Sequence, residues 1–258
     1  QHRGCEAAQC GALPLLTVTP SRVLSVCRPA VTLQSMAQIA EDLFLLLVDN
    51  ASAQPGLNSP RREHVLAAAD LLDLAHACRI RPAVEGESVR PGRLLALDGP
   101  ALGDPVTEPA FELLRKKPLS PAAAIKKIGK HTQGRVVNHL EQTGQIRRNT
   151  IPSKRFTRTH TFPLTNRDRV GSARAALLSA LFDRTPPGPS TAAIITVLHA
   201  VDGLGALLSL NDRGWRWVHA RAGEIASGSW VDESPSALPE VNLAVTAAAV
   251  RQALVQLV

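Results

Sequence analysis

Between Arg184 and Asp202 the chain carries no Asp, Glu, Lys or Arg, and Thr191 to Leu210 reads TAAIITVLHAVDGLGALLSL. Ile194, Ile195, Val197, Leu198 and Val201 fall on every side of a helix, so no face is left to turn to water. A helix that is apolar all round is either buried in a large core or spans a bilayer. Spanning needs about 20 apolar residues, and Asp202, Gly203 and Gly205 cut this run short. The stretch is therefore expected to be the central buried helix of a globular domain, started at Pro189–Ser190 and stopped by the Gly203–Gly205 pair. Each Ile, Leu or Val buried there contributes about 1.5–3 kcal/mol, so the remaining helices are predicted to assemble against it.

Those helices follow from apolar spacing. Residues 37–50 place Ala40, Leu43, Phe44 and Leu47 on one side. Residues 60–78 do the same with Val65, Leu66, Leu72 and Ala75, behind a Ser59-Pro60 start. Helices are also predicted over 108–117, 120–129, 131–143, 174–183, 215–225 (with Trp217 and Ala220 inward) and 241–257. Residues 79–84 and 93–98 read as one short hairpin, and 145–164 as a second. The fold class is mainly α: a single domain of amphipathic helices around a central buried apolar helix, with small β-hairpins. Aromatic content of 3%, without tyrosine, argues against a sheet-rich binding protein and against base-stacking platforms.

Residues 1–35 differ from the rest. They hold Cys5, Cys10 and Cys27 of the four cysteines, and the lone methionine, Met36, follows them directly. They are expected to be an N-terminal extension ahead of a domain over 36–258, with Met36 as the natural start. No CxxC pair occurs, so neither a disulfide framework nor a zinc site is expected, and a reducing cytoplasm is the default.

The net charge of +7 is uneven. Residues 111–170 carry 14 Lys/Arg and 3 Asp/Glu, a net +11, which leaves −4 for the remainder. Regional basicity of this size points to a polyanionic partner. Nine of the fourteen, Lys126, Lys127, Lys130, Arg135, Arg147, Arg148, Lys154, Arg155 and Arg158, crowd the stretch from 126 to 158. Anionic lipid and nucleic acid both fit such a cluster. The order helix, turn, helix, basic hairpin is that of a winged helix, with 131–143 as recognition helix. Enzyme signatures are lacking: there is no GxxxxGK[ST], HExxH, GxSxG or GxGxxG, and no catalytic residue, metal ligand or cofactor is assigned. His199 reads as a core histidine bonded to a backbone carbonyl. The pairs Glu41/Asp42 and Asp70/Asp73 read as solvated faces or local ion pairs.

The stretches AEDLFLLLVDN (40–50), LAAADLLDLAHACRI (66–80), GDPVTEPAFELL (103–114), RVVNHLEQTGQIRR (135–148), FPLTNRDRV (162–170) and TAAIITVLHAVDGL (191–204) stand in one order along the chain. In that order they resemble the Golgi phosphoprotein 3-like proteins, a bacterial-type member in particular. The resemblance implies one mainly helical domain and a peripheral protein on the cytoplasmic face of a membrane. It also implies a pocket for phosphatidylinositol 4-phosphate and a hairpin tip that enters the bilayer. In the eukaryotic members a tryptophan and three arginines form that pocket, and their places fall near Asn58, Ala67, Lys130 and Gln133. Lys130 keeps a charge there, and Arg61, Arg62 and Arg135 lie close in sequence. The tip here reads IPSKRF, so electrostatics rather than deep insertion is expected to dominate.

The expected function is thus a non-enzymatic adaptor that docks on an anionic phospholipid membrane. The headgroup is expected to meet Arg61, Arg62, Lys130, Arg135, Arg147 and Arg148, and the membrane to meet Ile151, Lys154, Arg155 and Phe156. A homo-oligomer is compatible with this reading. The alternatives are a winged-helix nucleic-acid binder, and an enzyme acting on a diphosphate-bearing isoprenoid or lipid.

Overall fold

The structure is a computed structural model that describes residues 38–152, 158–231 and 237–258. The described residues form eight α-helices: α1 Gln38–Leu47, α2 Ser59–His76, α3 Glu108–Lys116, α4 Pro121–Gln142, α5 Asp168–Phe182, α6 Pro189–Ala200, α7 Asp212–Ala226 and α8 Leu238–Val255. Two antiparallel pairs accompany them, β1 Ile80–Pro82 with β2 Leu94–Ala96, and β3 Asn149–Pro152 with β4 Arg158–Thr161. The expected mainly helical class with two hairpins holds. The reading of residues 1–35 as an extension lies outside the described residues, as do Lys154, Arg155 and Phe156.

Helix α6 is buried from Ala192 to Leu198 and packs among α1, α2, α5, α7 and α8. Its stop differs in detail from the expected glycine pair. Asp202 takes the left-handed conformation (φ 52°), and the Gly203 amide returns to the Leu198 carbonyl at 2.7 Å. Gly203 is needed for space: a Cβ there would stand 3.1 Å from Val201 and 3.2 Å from Leu198.

Helix α2 shares the centre. Every residue from Val65 to Ala75 is buried, which a one-sided amphipathic reading does not provide for. The physical reason is alanine. Ala67, Ala68, Ala69 and Ala75 let α1, α4, α6 and α8 close in around it. Asp70 and Asp73 are enclosed with them, so the expectation of solvated carboxylates there is corrected.

Residues 121–142 are one unbroken helix, not two. Ser120 caps it by accepting from the Ala123 amide. Gly129, which suggested a break, instead lets α4 pack closely on α2: a Cβ there would lie 3.3 Å from the Glu63 carbonyl oxygen. The helix-turn-helix on which the nucleic-acid alternative rests is therefore absent over these residues.

Helix α5 begins six residues before the expected start, at Asp168, whose amide donates to the Asn166 side chain at 2.9 Å. In α7 the inward side is Val218, Arg221, Ala222 and Ile225, while Trp217 and Ala220 face out, correcting the expected register. The buried Arg221 donates to the Ala180 carbonyl at 3.2 Å, which fixes that register against α5. No described helix is long and apolar enough to cross a membrane.

Candidate functional site

One polar cavity of about 320 Å³ opens between the start of α2, the middle of α4 and the β3–β4 hairpin. Its cations come from three separate elements: Arg62 on α2, Lys130 on α4, and Arg148 just ahead of β3. Ser59, Glu63, Gln133, Gly134, Val137, His160 and Phe162 line the rest of the wall. A Cβ at Gly134 would meet nothing within 4 Å, so the wall is open at that point.

The local folding that positions these groups is legible in the chain. Asn58 caps α2 by accepting from the Arg61 amide at 3.1 Å. Arg62, one residue on, then turns back over the preceding loop. Its Nη1 donates to the Leu57 carbonyl at 2.7 Å and its Nε to Gln133 Oε1 at 3.0 Å, tying α2 to α4. Burial pushes the Arg62 pKa below its ordinary value, and Glu63 opposes that shift. Among the described residues Glu63 is the one carboxylate in the wall, and it accepts from the Ser59 hydroxyl at 2.9 Å. Arg148 is braced by Asn138 and by Glu141 at 3.5 Å, while its Nε is buried with no hydrogen-bond partner among the described residues. Lys130 is exposed at the rim.

Of the six residues expected to meet a headgroup, this cavity gathers Arg62, Lys130 and Arg148. Arg61 and Arg147 do not line it. Arg147 is exposed, and its amide is used in pairing with the Pro163 carbonyl. Arg135 turns inward: its Nη2 donates to Thr132 Oγ1 at 2.9 Å and to Asp70 Oδ2 at 3.3 Å, and its Nε to the Val106 carbonyl at 3.1 Å. Of the hairpin residues, Ile151 is described and is 48% exposed. Glu63, His160 and Phe162 were not anticipated. Strand alternation offers a signal for His160, which pairs opposite Thr150 two residues beyond Arg148.

A second polar region is internal. Glu41, Asp42, Asp70 and Asp73 are all buried, and their partners are distant in sequence rather than local. Arg169 donates to Glu41 Oε2 and to Asp42 Oδ1, each at 2.6 Å, and His139 Nδ1 meets the other Glu41 oxygen. Burial raises the Asp42 pKa even against Arg169, while at Arg169 the attraction of Asp42 and Glu41 overcomes burial and raises its pKa too. Asp73 accepts from the Ile39 and Ala40 amides at 2.8 and 3.0 Å, so it caps α1 from across the core. Burial holds Asp73 well above the ordinary carboxylate range, and raises Asp70 to about 7. This network joins α1, α2, α4 and α5, and it consumes two cations, Arg135 and Arg169, of the basic region.

His199 departs from expectation. Its Nδ1 is buried with no partner among the described residues, and its ring lies 5.7 Å from His219. Burial first, then His219 and Arg251, keeps its pKa below the ordinary value. Among the described residues no group of three His, Cys, Asp or Glu side chains is placed to hold a metal ion.

No curated protein matches the chain. The family model for Golgi phosphoprotein 3 (GPP34) matches residues 39–254, which takes in every described helix but the first and last residues of the helical body. By that match over most of its length, the chain belongs to the Golgi phosphoprotein 3 family.

Proposed function

We propose that the protein is a peripheral membrane adaptor whose cavity between α2, α4 and the β3–β4 hairpin takes the phosphorylated headgroup of an anionic phospholipid, of the phosphatidylinositol 4-phosphate type. The observation that carries this reading is the meeting of Arg62, Lys130 and Arg148, from three elements, in one polar cavity. A phosphate monoester needs compact positive charge together with fixed N–H donors. Lys130 supplies the mobile charge at the mouth. Arg62 is held in place by Gln133 and the Leu57 carbonyl, so little freedom is lost when it meets an anion. The Arg148 Nε is a donor still lacking a partner among the described residues. Two further points support the assignment. Lys130 and Gln133 stand where the resemblance puts two headgroup arginines, and both line the cavity. The site sits beside the hairpin that the same resemblance directs to the membrane.

The surrounding surface adds attraction without shape. Lys126, Lys127 and Arg147 are exposed, and each cation near an anionic leaflet contributes about 1 kcal/mol. Docking on the cytoplasmic face would follow from that leaflet's negative charge.

Vesicle flotation tests the proposal. The full chain should float with phosphatidylcholine vesicles containing phosphatidylinositol 4-phosphate and stay behind with phosphatidylcholine alone. Lys130→Glu, a change at an exposed side chain, should weaken the first by about tenfold or more. Equal flotation on neutral vesicles, or unchanged binding by K130E, would overturn it.

A further inference from the structure

Helix α7 turns an aromatic side chain outward that the core does not use. Trp217 is 40% exposed, yet its ring is held by stacking on Phe182 of α5, with centroids 5.8 Å apart and planes 27° from parallel. Phe182 and Trp217, with Arg213, Gly214, Arg216 and Ala220, line an open recess of about 700 Å³. Phe182 also lines a second hollow of about 280 Å³ with Leu207, Leu208 and Leu210, and Arg174 stands in its wall. Among the described residues the two linings hold three arginines and no carboxylate. None of the three arginines is in an ion pair among the described residues. An indole that is fixed but uncovered, beside unpaired guanidinium groups, is the side-chain pairing of a membrane interface: the ring sits at headgroup level and the cations meet lipid phosphate.

The charge of the recess, three arginines with no carboxylate among the described lining residues, favours an anionic bilayer. The Leu57 carbonyl, which orients Arg62 in the headgroup cavity, belongs to a loop whose Gly56 packs on Ala206; a Cβ at Gly56 would stand 3.1 Å from the Ala206 methyl. Gly205 in turn lies against the Trp215 ring, at 4.0 Å from a Cβ built on it. The loop that orients Arg62 thus touches the 203–210 loop, which in turn meets Trp215 at the start of α7. We infer that the Trp217–Phe182 recess, with Arg213 and Arg216, is a second contact with an anionic bilayer, independent of the headgroup cavity. This inference rests on the membrane reading above. It adds a part that recognises the bilayer interface rather than one headgroup.

The test separates the two contacts. Trp217→Ala combined with Arg213→Glu and Arg216→Glu alters exposed side chains, and a thermal melt checks that the fold survives. The triple variant should bind vesicles of phosphatidylcholine and phosphatidylserine at least about tenfold more weakly, at about fivefold per cation lost. Its affinity for water-soluble inositol 1,4-bisphosphate should not change. Brominated lipid should quench the tryptophan emission of the wild-type chain, and Trp217→Phe should remove most of that quenching. Wild-type flotation by the triple variant, or no quenching, would overturn the inference. So would saturation of the Trp217 signal by an acidic peptide without quenching by lipid, which would mark a protein-binding recess. Failure of the headgroup cavity looks different: the soluble headgroup would not bind, while lipid quenching of Trp217 would persist.

Discussion

Replacing Arg169 by Met keeps the aliphatic stem and removes the guanidinium that faces Glu41 and Asp42. Both carboxylates are nearly inaccessible, with 1% and 9% of the side chain exposed, and both contacts are 2.6 Å. Removing one partner of a buried pair costs about 3–5 kcal/mol, because the other charge stays behind without compensation. Arg169 keeps 28% of its side chain in solvent, and water entering there places the expected loss near the lower end, at about 3 kcal/mol. Urea unfolding at pH 8 should therefore show a midpoint shift of that size with little change in slope. The pH dependence identifies the cause. Burial already holds Asp42 above its ordinary pKa, and loss of Arg169 raises it further. A carboxyl whose folded pKa is raised contributes stability that is fully present below its unfolded value, near pH 4, and lost as pH rises through the folded value. The deficit of the R169M protein should thus shrink to about 1 kcal/mol at pH 5 and grow toward pH 8. A loss of equal size at both pH values would mean that packing, not charge, is what Arg169 provides. A loss under about 0.5 kcal/mol at pH 8 would refute the network altogether.

Asp73→Ala strands the two buried α1 amides and should cost about 2–4 kcal/mol in the same assay, while Asp73→Asn, which keeps an acceptor, should cost clearly less. Asp70 has its pKa raised to about 7, so the stability it confers is present below about pH 4 and lost by about pH 7; D70N should flatten stability across that window, as followed by thermal melts at each pH. Gly129→Leu should destabilise by about 1–3 kcal/mol by forcing α4 off the Glu63 carbonyl, whereas Gly129→Ala should fall well short of that, since helix propensity offsets part of the strain.

The helical body was readable because apolar spacing reports burial directly. Helix α6 announces itself by having no polar face. Helix α2 does not, since its alanines are neutral in any pattern and Asp70 and Asp73 mimic a solvated side. Sequence spacing cannot reveal that the amides of Ile39 and Ala40, more than thirty residues away, receive the Asp73 carboxylate. Gly129 misled for a related reason. A glycine in a helical pattern signals a break when read locally, but here it accommodates a neighbouring backbone.

The candidate site was legible in part, and for the same reason. The count of cations in 111–170 located a region, but charge carries no information about direction. Arg135 and Arg169 belong to that region and point at internal carboxylates, while Arg62, from outside it, reaches the cavity. The register of α7 was missed because Trp217 is apolar in composition yet rests on the outside, stacked on Phe182. Arg221, charged in composition, is inside because the Ala180 carbonyl accepts from it.

The central claim is that Arg62, Lys130 and Arg148 together receive a phosphorylated headgroup. Calorimetric titration of the full chain with inositol 1,4-bisphosphate tests it without a membrane. One saturable site, weakened by about fivefold or more in Lys130→Ala and lost at high salt, is the predicted result. No saturable binding, or the same affinity in the wild-type and K130A proteins, would contradict it.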